Sequence, residues 1–162
     1  MSPIGSRSRS YHALMHADQG VILRRAESDD GDALYPLVRE LATSFDQSRT
    51  TFAESFASLI SDPAALVLVA ADGRSRRLIG YLLGFRHETF VADGPVGWVE
   101  EVYTCADRRR VGVAGALMSE FEQWAWESGA RLVAVATRRA HAFYEAIGYE
   151  DSAVYFRKLA PE

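Results

Sequence analysis

The sequence predicts one domain in which strands and helices alternate around a mixed sheet, an α/β (α+β) fold. Three observations carry that expectation. The chain has 162 residues, 48% of them hydrophobic, enough for one packed core and too few for two. Short apolar runs rich in β-branched residues alternate with longer runs whose apolar positions recur at helical spacing. No internal repeat is evident, so the alternation is read as a single sheet with helices packed on it.

Residues 1–20 mix Ser, Arg, His and Gly without a period and are expected to form a mobile or cloning-derived N-terminal tail, leaving 21–160 as the folded domain. Val21-Ile22-Leu23-Arg24 reads as the first strand, and Ser28-Asp29-Asp30 supplies acids suited to a helix start. Ala33, Leu34, Leu37, Val38 and Leu41 then share one helical face. Thr51 with Glu54 has the spacing of a capping box ahead of a second amphipathic run through Phe52, Phe56, Leu59 and Ile60. Ala65 to Ala70 and Leu78 to Phe85 form a predicted hairpin about Asp72-Gly73. After the turn at Asp93-Gly94-Pro95, Trp98 to Thr104 is a fourth strand, and Val113 to Ala125 a third helix closed by Gly129. Leu132 to Ala136 is the fifth strand, Ala140 to Ile147 a fourth helix ended by Gly148, and Ser152 to Leu159 a final strand.

Charge and cysteine content narrow the function classes. The 18 basic and 22 acidic residues give a net charge of −4, with the bases scattered apart from Arg108-Arg109-Arg110, so neither nucleic acid nor a membrane is the expected partner. Cys105 is the single cysteine, which removes an intrachain disulfide and a cysteine-based zinc cluster. His12, His16, His87 and His141 show no metal-ligand spacing, and no metal is expected. With no apolar run of membrane-spanning length and no signal-like apolar core, the expected location is the cytoplasm.

The stretch with most chemical content joins the fourth strand to the third helix. Glu100-Glu101-Val102-Tyr103-Thr104 is followed by a short loop and by Arg109-Arg110-Val111-Gly112-Val113-Ala114-Gly115. Small residues at Gly112, Ala114 and Gly115 allow an anion to approach the backbone, and the first helical turn offers N–H groups without intrahelical acceptors at the positive end of the helix dipole. Arginine at the rim adds permanently charged, bidentate donors. The pattern suits a pyrophosphate.

Arg109-x-x-Gly112-x-Ala114 resembles the R/Q-x-x-G-x-G/A signature of the GNAT superfamily of acetyl-coenzyme A-dependent N-acetyltransferases. Ala140-x-x-Phe143-Tyr144-x-x-x-Gly148-Tyr149 resembles the later A-x-x-x-Y-x-x-x-G-F segment of the same family, in the right order and separation. The resemblance implies the GNAT / acyl-CoA N-acyltransferase fold: a mixed, mostly antiparallel central sheet of six to seven strands, with a V-shaped splay between strands four and five, flanked by four helices. It implies acetyl-CoA as cosubstrate, lying in that splay. The backbone of Val102, Tyr103 and Thr104 would meet the pantetheine arm, and Arg109, Arg110, Val111, Gly112, Val113, Ala114 and Gly115 the pyrophosphate. Thr137, Ala140, Phe143 and Tyr144 fall on the coenzyme side of the later segment, with Phe143 also a core residue.

The implied reaction is direct attack of a primary amine of a small molecule on the thioester. Tyr144 matches the family tyrosine that hydrogen-bonds the coenzyme sulfur and protonates it. For the base, Leu132 to Ala136 carries no ionisable side chain, so the candidates are Glu100 and Glu101, and strand alternation lets only one of them face the cleft. Glu100 is preferred. Polyamine-type members carry acids at both places. A cationic acceptor would be drawn by Asp46, Glu88, Glu100 and Glu101, with residues 44–61 shaping its groove.

This sequence departs from the family at Thr137, where many members have asparagine, and at Thr104-Cys105-Ala106, where Val-Asp-Pro is more usual. The alternatives are a non-catalytic acyl-CoA-binding or sensing module and a protein N-terminal or O-acyltransferase. The resemblance also allows a homodimer, through pairing of terminal strands.

Overall fold

The computed structural model describes residues 14–16, 20–42 and 45–160. Its sheet has six strands in sequence order: β1 (Leu14–His16), β2 (Val21–Arg25), β3 (Ala65–Asp72), β4 (Leu78–Thr89), β5 (Gly94–Thr104) and β6 (Leu132–Val135). Neighbours are antiparallel except β5 and β6, which run parallel. The helices are α1 (Gly31–Leu41), α2 (Arg49–Ser61), α3 (Val113–Glu127) and α4 (His141–Ala146). Leu14–His16 was assigned to the tail by composition but pairs with β2. Three residues are too few to show strand alternation. The rest of the N-terminal segment lies outside the described residues.

β3 is apolar at every position before Asp72, and its packing shows why. Leu66, Leu68 and Ala70 pack in one core with α3, while Val67, Val69 and Ala71 pack in a second with α1 and α2. A strand covered on both faces loses the alternation of a half-exposed one. On the α3 side, the helix sits so close to the sheet that a Cβ on Gly84 would lie 2.3 Å from Phe121 Cε2. Only glycine lets Phe121, itself fully buried, occupy that place.

Two elements depart from the sequence reading. The cap of α2 is Ser48, whose hydroxyl accepts from Thr51 N–H at 3.4 Å; Thr51 is already inside the helix. Residues 152–159 form no strand, and Val154, Tyr155, Phe156 and Leu159 are exposed. Their β-branched and aromatic character favours extended backbone, but a strand exists only where another edge accepts its hydrogen bonds, and the sheet of the described residues ends at β6 without taking them in.

Two irregularities at β5 create the site. β6 pairs with β5 only from Val96↔Leu132 to Val99↔Val135, so residues 100–104 have no β6 partner, while 101–104 keep β4 on the other edge. Between β4 and β5 the register shifts: Leu83 faces Glu101 but Gly84 faces Val99, leaving Glu100 as the extra residue of a β-bulge.

Candidate active site

The open edge of β5 runs into the start of α3, and the geometry there suits an extended ligand with an anionic end. Gly112 is the N-cap residue of α3, in the left-handed region at φ 83°, which costs an L side chain about 1–2 kcal/mol. The first bond of the helix runs from Ala116 N–H to the Gly112 carbonyl, 2.9 Å, so the N–H groups of Val113, Ala114 and Gly115 have no acceptor four residues back within the helix. They stand at the positive end of a 15-residue dipole. A Cβ on Gly115 would meet nothing within 4 Å, so the approach is open. Arg109, Arg110 and Val111 are exposed at the rim, and Arg109 Nε reaches the Thr104 carbonyl at 3.5 Å.

Thr104 Oγ1 is buried with no hydrogen-bond partner among the described residues. Thr104 pairs with Gly80 and therefore lies on the α3 face of the sheet, beside Val113. An orphaned hydroxyl next to an unpaired strand edge and an uncapped helix is a donor set that a pantetheine-pyrophosphate chain would satisfy. Tyr103 differs: its ring turns to the opposite face, its hydroxyl donates to Glu40 of α1, and burial pushes its phenol up to about 12. Only its backbone is available at the open edge. Val102 packs toward the α3 core.

Tyr144 is buried in α4, its ring 5.0 Å from that of Phe143 and 5.6 Å from that of Tyr149. Burial raises its phenol above the ordinary value, so it is protonated across the physiological range and is a proton donor rather than a base. Thr137 Oγ1 accepts from Ala140 N–H at 3.0 Å, which engages its lone pairs in the turn before α4 and leaves its O–H free to donate outward. Ala140 and Phe143 pack against the α3 core.

The two glutamates part company. Glu101 lines a cavity of about 360 Å³ between α1, α2 and the face of β3, β4 and β5. Its Oε2 accepts from the hydroxyl of Tyr81, 2.7 Å away, and Tyr81 is fully buried. Burial raises the Glu101 carboxyl above the usual range, the Tyr81 bond opposes this, and the charge of Glu100 adds to it. Glu100 is exposed and accepts from Trp98 Nε1 at 2.9 Å. One of the two acids faces this cavity, as alternation requires, but it is Glu101 and not the preferred Glu100. The bulge inserts Glu100 as the unpaired residue and gives the cavity position to Glu101.

Of the other acids read from the sequence, Asp46 stands at the cavity rim, whereas Glu88 is exposed on β4 and paired with Arg86 at 2.6 Å. Cys105 is buried and its thiol is raised by that burial, so it is not a thiolate nucleophile. Residues 45–59, within the stretch expected to shape the acceptor groove, line this cavity, whereas sequence reasoning missed Tyr81 and the walls from α1, β3 and β4. The available signal was a tyrosine in the middle of an otherwise apolar run, Leu78 to Leu83, since a buried phenol requires a partner.

An open strand edge thus runs into a helix start without a side-chain cap, with the half-buried Glu101 carboxyl on one face of the sheet and the buried Tyr144 phenol on the side of the α3 core. Residues 32–149 match the family model described as the Acetyltransferase (GNAT) family. The chain belongs to that family and is an acetyltransferase. It is 28% identical over 141 residues to an aminoglycoside N(6')-acetyltransferase type 1 of Stenotrophomonas maltophilia, covering 83% of this chain and 91% of the relative. Glucosamine-6-phosphate N-acetyltransferase from Arabidopsis thaliana superposes with a TM-score of 0.77 at 16% identity, over 86% of this chain and 97% of that one. AAC(6')-Iy, solved in complex with the bisubstrate analogue CoA-S-monomethyl-acetylneamine, superposes with a TM-score of 0.71 at 17% identity, over 86% and 99%. At these identities the two structures speak to the fold. No described helix is long and apolar enough to cross a membrane.

Proposed function

We propose that this protein transfers an acetyl group from acetyl-CoA to a primary amine of a small molecule. The observation that carries the proposal is the half-buried Glu101 carboxyl at the cavity wall, within the stretch of β5 that has no β6 partner. The two ligands then meet across one strand, the coenzyme along its edge and the amine on its α1–α2 face.

Acetyl-CoA supplies the activated acetyl thioester. The backbone of Val102 to Thr104 aligns its arm as an added strand, and the α3 start with Arg109 and Arg110 holds its pyrophosphate. Glu101 takes the proton from the incoming ammonium, for which a carboxyl raised by burial is better matched than an exposed one. Tyr81 fixes the carboxylate through its 2.7 Å bond. Tyr144, on the other face, donates its phenolic proton to the departing sulfur and is restored from solvent. A purely sensing module would have no use for this acid–base pair.

A second reading of the acceptor, an aminoglycoside, is favoured by the similarity to the aminoglycoside N(6')-acetyltransferase of Stenotrophomonas maltophilia. We also propose a cytoplasmic location, and a homodimer for which the exposed Val154, Tyr155 and Phe156 are a suitable surface. Thiol release with a panel of amines, together with mass analysis of the products, tests the activity. An N-acetylated product is expected; binding of acetyl-CoA without thiol release for any amine would favour the sensing alternative.

A further inference from the structure

The cavity beside Glu101 is not lined like a site for a polyhydroxylated or polycationic molecule. Leu34 of α1, Phe52 and Phe56 of α2, Val67 of β3 and Leu83 of β4 form its walls. Leu34, Phe56 and Val67 are buried, so these walls are held by the core. Among the lining residues the ionisable groups are Glu101 and Asp46 together with the phenol of Tyr81, and that phenol already donates to Glu101. Asp46 is exposed at the mouth, where it attracts cations without desolvating them.

Two of the four neutral polar side chains in the lining are engaged by the chain, and the other two, Thr51 and Ser55, are exposed on α2. Ser48 Oγ caps α2, Gln47 Nε2 donates to the Phe45 carbonyl, and the Gln47 carbonyl accepts from Tyr35 at 2.8 Å. A ligand hydroxyl or second ammonium pushed inward would leave water and meet hydrocarbon, at a cost of roughly 1–3 kcal/mol for each unpaired polar group and more for a charge. The volume, about 360 Å³, is near the small end of ligand sites, which run from roughly 300 to 1,000 Å³.

We infer that the acceptor is a monoamine: one ammonium, placed at Glu101, on an apolar body the size of a short alkyl chain or a single aryl ring. This deepens the acetyltransferase reading and rests on it.

The test is a chain-length series. Thiol release from acetyl-CoA is measured with n-alkylamines from butyl to octyl, with benzylamine and phenethylamine, and with spermidine and neamine as polycationic and polyhydroxylated counterparts. The inference predicts that kcat/KM rises about fourfold with each added methylene until the cavity is full, the factor expected for burying one methylene. It also predicts that the best monoamine exceeds neamine and spermidine by at least about a hundredfold, the consequence of leaving several polar groups unpaired.

A flat series, or spermidine or neamine as the best substrate, overturns the inference and leaves the acetyltransferase reading standing. Absence of thiol release with every amine, while acetyl-CoA binds, overturns both.

Discussion

Replacing Glu101 by Gln separates the two glutamates and tests the proton acceptor. Gln has the same shape, and its amide oxygen can accept the Tyr81 hydroxyl at the 2.7 Å now spanned to the carboxylate, so the cavity keeps its form. What it cannot do is take a proton. General-base catalysis contributes about 10²–10⁴ in rate, equivalent to about 3–5 kcal/mol of barrier, and kcat for Glu101→Gln should fall by that range with acetyl-CoA affinity unchanged.

Stability should move the other way. The Glu101 carboxyl is raised in the folded chain, chiefly by burial, so the folded state holds a proton that the unfolded state releases near pH 4. Folding is therefore progressively less favourable as pH rises from there through the folded value. Glu101→Gln removes that penalty: it should melt higher than the parent at pH 8 and the same at pH 4. Glu100→Gln, exposed, should change stability by less than about 0.5 kcal/mol and kcat by about twofold. By removing a neighbouring negative charge, it should also move the acidic limb of the pH–rate profile to lower pH. The assay is thiol release from pH 5 to 9, with melting at the two ends. A Glu101→Gln enzyme that keeps kcat within tenfold and retains the parent's acidic limb refutes the assignment.

Tyr144→Phe should lower kcat by about a hundredfold, the low end for a general acid, with the acetyl-CoA dissociation constant held within about twofold; calorimetric titration beside the rate assay separates the two. Gly112→Ala forces an L side chain into the left-handed region at φ 83° and should weaken acetyl-CoA binding by roughly five- to thirtyfold, read by the same titration. Gly84→Ala places a Cβ 2.3 Å from Phe121 and should lower the melting temperature by roughly 2–10 °C, since overpacking costs about 1–3 kcal/mol; an unchanged melt would mean that α3 is less firmly seated than its burial implies.

The parts of the fold that the sequence makes legible are those specified locally. The short apolar run that opens Val21–Arg25, the helical spacing of Leu34, Leu37 and Val38, and the Gly112 start of α3 are each decided within a few residues. Features that depend on pairing were hidden. Glu100 and Glu101 exchange places because of a register shift opposite Leu83 and Gly84, a property of two strands rather than one. Residues 152–159 have strand-like composition without a paired edge in the described chain, and Leu14–His16 has a paired edge without a legible pattern. Of the cavity, the side formed by residues 45–59 was legible and the remaining walls were hidden for the same reason. Leu34, Phe56, Val67 and Glu101 sit on four elements, and nothing in their spacing announces that they converge.

The central claim is that the open edge of β5 and the start of α3 together hold acetyl-CoA, with Glu101 on the far face of the strand. Backbone amide shifts recorded by NMR during titration with acetyl-CoA test it most directly. The account predicts the largest changes at the amides of residues 102–104 and 109–115 and small ones along α1 and α2. Perturbations concentrated on α1, α2 and the cavity around Glu101, with 109–115 unmoved, would contradict it.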